Sequence, residues 1–184
     1  MKGRLILLSL LGMLVFAGSA FAVEHVFIRG TSGNDVLTGT PGPDRILARG
    51  GNDTVNALAG DDRVRGGYGD DAIDAGPGDD YVWGGPGNDT IQGGDGNDVL
   101  RGRQGDDTIY GGAGNDRIHA GAGADTVDAG DGNDVVWILA NDNKVDHVDC
   151  GPGYDVLWRN SKEPEDVATN CEVIKTVTVT RDDD

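Results

Sequence analysis

Twelve aspartates stand nine residues apart without a break: Asp35, Asp44, Asp53, Asp62, Asp71, Asp80, Asp89, Asp98, Asp107, Asp116, Asp125 and Asp134. A lone aspartate in such company is a turn former that caps its own backbone. Twelve identical placements point instead to shared chemistry, the ligation of a hard cation. Two residues before each Asp comes a glycine, from Gly33 to Gly132, and two residues after comes Leu, Ile or Val, from Leu37 to Val136. Carboxylates and the carbonyls of glycine-rich turns are oxygen donors, and oxygen donors select hard divalent ions. Calcium fits better than magnesium, since it accepts about six to eight oxygens in loose geometry where magnesium demands a strict octahedron. No loop shows the alternating acids and terminal Glu of an EF-hand.

The elements that must position these acids follow from the same period, which runs from Gly30 to Trp137. In each nine-residue copy, positions one to six are rich in Gly, Asn and Asp, which is turn chemistry. Positions seven to nine hold β-formers around one obligate apolar residue. The expected element is a three-residue strand with only its middle side chain inward. Two copies then make one coil, copies n and n+2 stack, and a sheet forms on either side of a thin core. The expected fold is all-β, a right-handed parallel β-roll. Stacking places like carboxylates about 5 Å apart, one strand spacing, where they repel. A cation between successive turns reverses that term. Twelve copies in two columns leave about ten gaps for such ions, an upper limit.

Gly93-Gly94-Asp95-Gly96-Asn97-Asp98-Val99-Leu100-Arg101 comes close to an ideal copy. It resembles the RTX, or hemolysin-type, calcium-binding nonapeptide, Gly-Gly-x-Gly-x-Asp-x-apolar-x. The resemblance implies a parallel β-roll with calcium in its turns, folded only when calcium is present. Many members of that family leave Gram-negative cells through a dedicated exporter and lack a cleavable leader.

This chain differs there. Lys2 and Arg4 precede an apolar run from Leu5 to Ala17, and Ala20-Phe21-Ala22 is a small-x-small cleavage site. Residues 1–22 therefore read as a secretory signal peptide, which implies general secretion to the outside of a bacterial cell and no transmembrane segment after cleavage. Residues 23–29 read as a capping strand, 30–137 as the twelve repeats, and 138–184 as degenerate repeats plus a C-terminal cap. Within that cap, Ser161 to Asn170 reads as a loop or short helical turn. Cys150 and Cys171, the only cysteines, read as a disulfide pinning the cap.

The full chain carries a net charge of −17; its leader holds two cations and no acid, so the remainder stands at −19. Bulk charge of that sign excludes nucleic acid as a partner. No enzyme site emerges. Ser32 and Ser161 lie outside any nucleophile elbow, and His25, His119 and His147 lack zinc-protease spacing. The outward positions of the even copies do stand apart. Arg63, Arg65, Tyr81, Trp83, Arg101, Arg117, His119 and Trp137 form a candidate binding face, whereas the odd copies are mostly small and polar. Such a face suits cell-envelope polysaccharide or another exported protein. The expected function is a secreted calcium-binding structural, adhesive or accessory module; the alternative is polysaccharide binding or modification through that face.

Overall fold

The computed structural model describes residues 4–5, 25–163 and 165–179. Among them there is no helix. Two nine-stranded parallel sheets face each other, and the chain alternates between them at every copy. The first sheet carries the odd copies, from Asp35–Thr38 through Thr54–Asn56, Ala72–Asp74, Thr90–Asp95, Thr108–Ala113 and Thr126–Asp131 to His147–Asp149 and Val167–Thr169. The second carries the even copies. It begins with Val26–Arg29, continues through Asp44–Gly50, Arg63–Tyr68, Tyr81–Pro86, Val99–Gln104, Arg117–Ala122 and Val135–Ile138, and ends with Val156–Asn160 and Val173–Val177. Ile91 pairs with Ile109 and Ile109 with Val127, so residues eighteen apart stack directly. The chain is a parallel β-solenoid.

The core is a single ladder of position-eight side chains from both sheets, with Ile46, Val64, Val82, Ile91, Leu100 and Ile118 fully buried. The strands are longer than expected. Thr90–Asp95 runs on through Gly93 and Gly94 into the next copy, and Gly94 pairs with Gly112. Glycine offers no side chain to hold neighbouring turns apart, so backbone pairing continues past the apolar residue. Position one consequently points inward too. Where it is alanine, at Ala48, Ala57, Ala75, Ala120 and Ala129, the methyl is buried in the core.

Past Trp137 the period lengthens without losing register. Val127 pairs with Val148 and Val136 with Leu157, each twenty-one residues on, so three added residues are absorbed in the turn around Asn141 to Asn143. The segment expected as loop or helical turn instead contributes a strand, Val167–Thr169, to the first sheet. Its Val-Ala-Thr repeats the small, β-compatible pattern of the odd copies, and the neighbouring His147–Asp149 offers an open edge. Cys150 and Cys171 are disulfide-bonded, with Cα atoms 5.2 Å apart, and Cys150 N–H donates to the Thr169 carbonyl at 3.0 Å. The bond staples two successive coils. The expected leader lies outside the described residues except for Arg4–Leu5, which pairs alongside Asp35 and Val36.

Candidate metal centre

All twelve position-six aspartates are buried, none more than 5% exposed. They form two columns, one at each sheet. The turn of glycines before each Asp brings its carboxylate back under the neighbouring coil. There Oδ1 accepts the backbone N–H of the Asp one coil earlier: Asp53 from Asp35 at 2.8 Å, Asp62 from Asp44 at 2.7 Å, Asp107 from Asp89 at 2.8 Å. The pattern continues unbroken to Asp134, which accepts from Asp116 at 2.8 Å.

The second oxygen has no such partner. From Asp53 to Asp134, ten consecutive Oδ2 atoms are buried with no hydrogen bond. A buried acceptor without a donor costs about 1–3 kcal/mol, and more when it carries charge. Asp35 and Asp44 escape this. Thr31 donates its hydroxyl to Asp35 Oδ2 at 2.9 Å, and Thr40 donates its backbone N–H to Asp44 Oδ2 at 2.5 Å. Threonine thus closes the first coil, and every later coil is left with an unanswered charge.

Burial dominates the electrostatics of the columns. It raises the carboxyl pKa to about 6 at Asp62, Asp71, Asp98, Asp116 and Asp125. It reaches about 7 at Asp80, Asp89 and Asp134, and about 8 at Asp107. At Asp107 the N–H donated by Asp89 pulls the value down, and repulsion from Asp125, Asp89 and Asp106 pushes it up again. At neutral pH the columns need either protons or cations.

The residues present fit a cation. At Gly66, a Cβ would stand 2.2 Å from Asp71 Oδ2 and 2.8 Å from the Gly84 carbonyl oxygen. At Gly93 the corresponding distances are 2.3 Å to Asp98 Oδ2 and 2.5 Å to the Gly111 carbonyl. A carboxylate of one copy and a carbonyl of the next coil therefore converge where glycine leaves room. Among the described residues no three His, Cys, Asp or Glu side chains cluster as a self-sufficient metal site, so backbone oxygens must complete the shell. That donor set, oxygen only and part carbonyl, is what calcium accepts. When bound, the ion would supply the positive charge that the ten orphaned oxygens lack. The chain's own part is to aim the carboxylates through the N–H bonds and to expose carbonyls through glycine.

Four acids extend the columns beyond the twelve expected. Asp125 N–H donates to Asp146 Oδ1 at 2.9 Å, Asp134 N–H to Asp155 Oδ1 at 2.7 Å, and Asp146 N–H to Asp166 Oδ1 at 3.1 Å. Asp155 N–H donates to Glu172 Oε2 at 2.9 Å. Asp155 and Asp166 also keep a buried, unpartnered Oδ2. Their signal in the sequence was the triplet Asp-x-apolar or Asp-x-Ala, seen in Asp146-His-Val148, Asp155-Val-Leu157 and Asp166-Val-Ala168. The irregular spacing hid it.

The candidate binding face lies away from the columns, on the outer side of the second sheet. There Arg65 pairs with Trp83, Trp83 with Arg101, Arg101 with His119 and His119 with Trp137. The Arg65 guanidinium lies 5.0 Å from the Trp83 ring centre, and His119 stacks on Trp137 with centroids 4.3 Å apart. Arg63 lies 5.6 Å from the Tyr81 ring, and Arg117 sits one strand beyond Val99 in the same row. The structure brings all eight residues onto one face.

No curated protein matches the chain. The family model for the RTX calcium-binding nonapeptide repeat matches at residues 29–64, 48–82, 57–91, 83–118 and 101–136. These matches join into one span covering more than half of the chain, and they coincide with the coils whose carboxylates form the two columns. The chain is a calcium-binding repeat protein and belongs to the RTX calcium-binding nonapeptide repeat family.

Proposed function

We propose that the protein is an exported scaffold whose folding is gated by calcium. The observation that carries this reading is the run of ten buried Oδ2 atoms without a donor. In calcium-poor cytosol the columns repel and the glycine-rich chain stays extended. Outside the cell, calcium at roughly 10⁻⁴–10⁻³ M loads the turns and the coils close upon one another. Residues 1–22 serve as a cleavable leader, and 138–184 close the far end of the stack with the disulfide. None of the described residues forms a helix long and apolar enough to cross a membrane. The protein acts as a structural, adhesive or accessory module and not as an enzyme.

Circular dichroism tests the gate. Strand signal should appear when calcium is added to the mature chain and disappear with chelator. Full strand content in chelator at neutral pH would rule the gate out. Mass spectrometry of the exported protein tests the leader, which predicts an N-terminus at Val23.

A second reading, polysaccharide binding by the second sheet, draws support from one observation. Cations and aromatic rings alternate along its outer face, where they are free to meet sugar and acid.

A further inference from the structure

The charges of this chain are sorted by sheet. Ten of its 15 lysines and arginines lie in strands of the second sheet. From Asp35 onward, the strands of the first sheet contain none. The outward positions of the second sheet carry no carboxylate, whereas those of the first include Asp74, Asp128 and Asp149. A face that only needed solubility would mix both signs, above all in a chain of net charge −17.

Two of these arginines occupy places where an L-residue is strained. Arg49 has φ 90° and Arg103 φ 94°, at the copy position where Gly67, Gly85 and Gly121 stand elsewhere. Each costs about 1–2 kcal/mol relative to glycine. Both extend strands of the second sheet, Asp44–Gly50 and Val99–Gln104. Leu58, with φ 80°, shares that copy position, so the turn imposes the conformation and the arginines are carried in spite of it.

The face also has relief. One groove, of about 500 Å³, is lined by Arg45, Arg63, Arg65 and Trp83 among others. A second, of about 650 Å³, includes Arg103, His119 and Trp137. Between them runs one row of paired residues along the stack. Arg29, Arg65 and Arg101 occupy every second rung of it. Rungs are about 4.8 Å apart, so these cations recur about every 9.6 Å.

We propose that this face binds a linear acidic polysaccharide lying along the stack axis, with one carboxylate per disaccharide. The inference rests on the polysaccharide reading above and narrows it to a charge spacing. The guanidinium groups pair with carboxylates, and Trp83 and His119, on the rungs that follow Arg65 and Arg101, face the neutral sugar. A nucleic acid carries a charge at every unit. Its phosphates do not recur at the spacing of these cations, and the chain's net charge of −17 repels so dense a polyanion, so it fits less well.

All three tryptophans of the chain, Trp83, Trp137 and Trp158, lie in this row, so intrinsic fluorescence reports directly on occupancy. The mature, calcium-loaded protein is titrated with hyaluronan, neutral dextran and single-stranded poly-dT. Hyaluronan should shift the emission, dextran should not, and sodium chloride should weaken the response. The double variant Arg65→Gln/Arg101→Gln should bind hyaluronan roughly tenfold less well, as expected on removing two solvent-exposed ion pairs. Asp74→Asn/Asp128→Asn, on the opposite face, should bind as the wild type does. Indifference to hyaluronan, insensitivity to salt or to the arginine changes, or tighter binding of poly-dT would each overturn the proposal. Strand signal in calcium is recorded in parallel. A protein that folds with calcium yet ignores hyaluronan defeats this inference alone and leaves the calcium scaffold standing.

Discussion

Asp89 donates its backbone N–H to Oδ1 of Asp107 at 2.8 Å, while Oδ2 of the same Asp107 is buried with no donor. One oxygen holds the coils in register, and the other is left for a proton or a cation. The division of labour repeats down both columns, and under the proposed gate it makes the fold conditional on what occupies the turns.

Replacing Asp107 by Asn separates the two roles. An amide oxygen can still accept the Asp89 N–H, but the charge is gone. In calcium, D107N should lose about 1–3 kcal/mol of stability and shift the calcium midpoint upward. In chelator at pH 8.5 it should be no less stable than the wild type, because a repelling charge has been removed. Thermal unfolding in the two buffers measures both arms. A loss of equal size in both would mean that Asp107 is merely structural.

Acidity should partly replace calcium. A carboxyl whose folded pKa lies above its unfolded value, near 3.8, binds protons better in the folded state. Its stabilising effect is therefore full below about pH 4 and fades as pH climbs through the folded values. Those values run from about 6 at Asp62 to about 8 at Asp107. In chelator, strand signal should be greater at pH 5 than at pH 8.5. In limiting calcium the trend reverses, because protons compete with the ion and its midpoint rises as pH falls.

Much of this is legible in the sequence. A period of nine, with Asp two residues before an obligate aliphatic, dictates two sheets and eighteen-residue stacking, and Leu100 does stand over Ile118. The twelve Asp in two columns followed from the same count. Three things did not follow. Asp146 and Asp166 are hidden because the longer steps break the ruler while the backbone register survives them, whereas Asp155 lies in Cys150 to Trp158, which reads as a standard copy, yet falls outside the unbroken run of twelve. The strand at Val167–Thr169 was masked by the polar, proline-containing residues before it. The inward turn of Ala48 and Ala57 was missed because alanine is neutral in any pattern; only neighbouring coils reveal that it faces the core.

Glycine at position four should prove irreplaceable in the middle of the stack. Gly114 has φ 138°, and a Cβ there would stand 1.8 Å from the Gly96 carbonyl oxygen. Gly114→Ala should cost about 3 kcal/mol or more even in saturating calcium, measured by chemical denaturation. Arg103→Gly, at a strained position, should instead be neutral or gain up to about 1 kcal/mol.

The disulfide should protect its own end of the stack. Repeat coils contact only their neighbours, so losing a staple loosens them locally. Cys150→Ser/Cys171→Ser should cost about 3 kcal/mol, the loop-closure entropy of its some twenty residues. Hydrogen exchange should quicken first across His147–Asp149 and Val173–Val177, with the central strands unaffected. Uniform acceleration along the chain would contradict a local role.

The most direct test is to count ions. Twelve aspartates in two columns leave ten gaps, and Asp146, Asp155, Asp166 and Glu172 add four more, which sets an upper limit of about fourteen. Calorimetric titration of the mature chain, with strand content followed on the same samples, should show many calcium ions taken up together with the appearance of strand. Uptake of only one or two ions, or strand fully formed before the first is bound, would contradict the account.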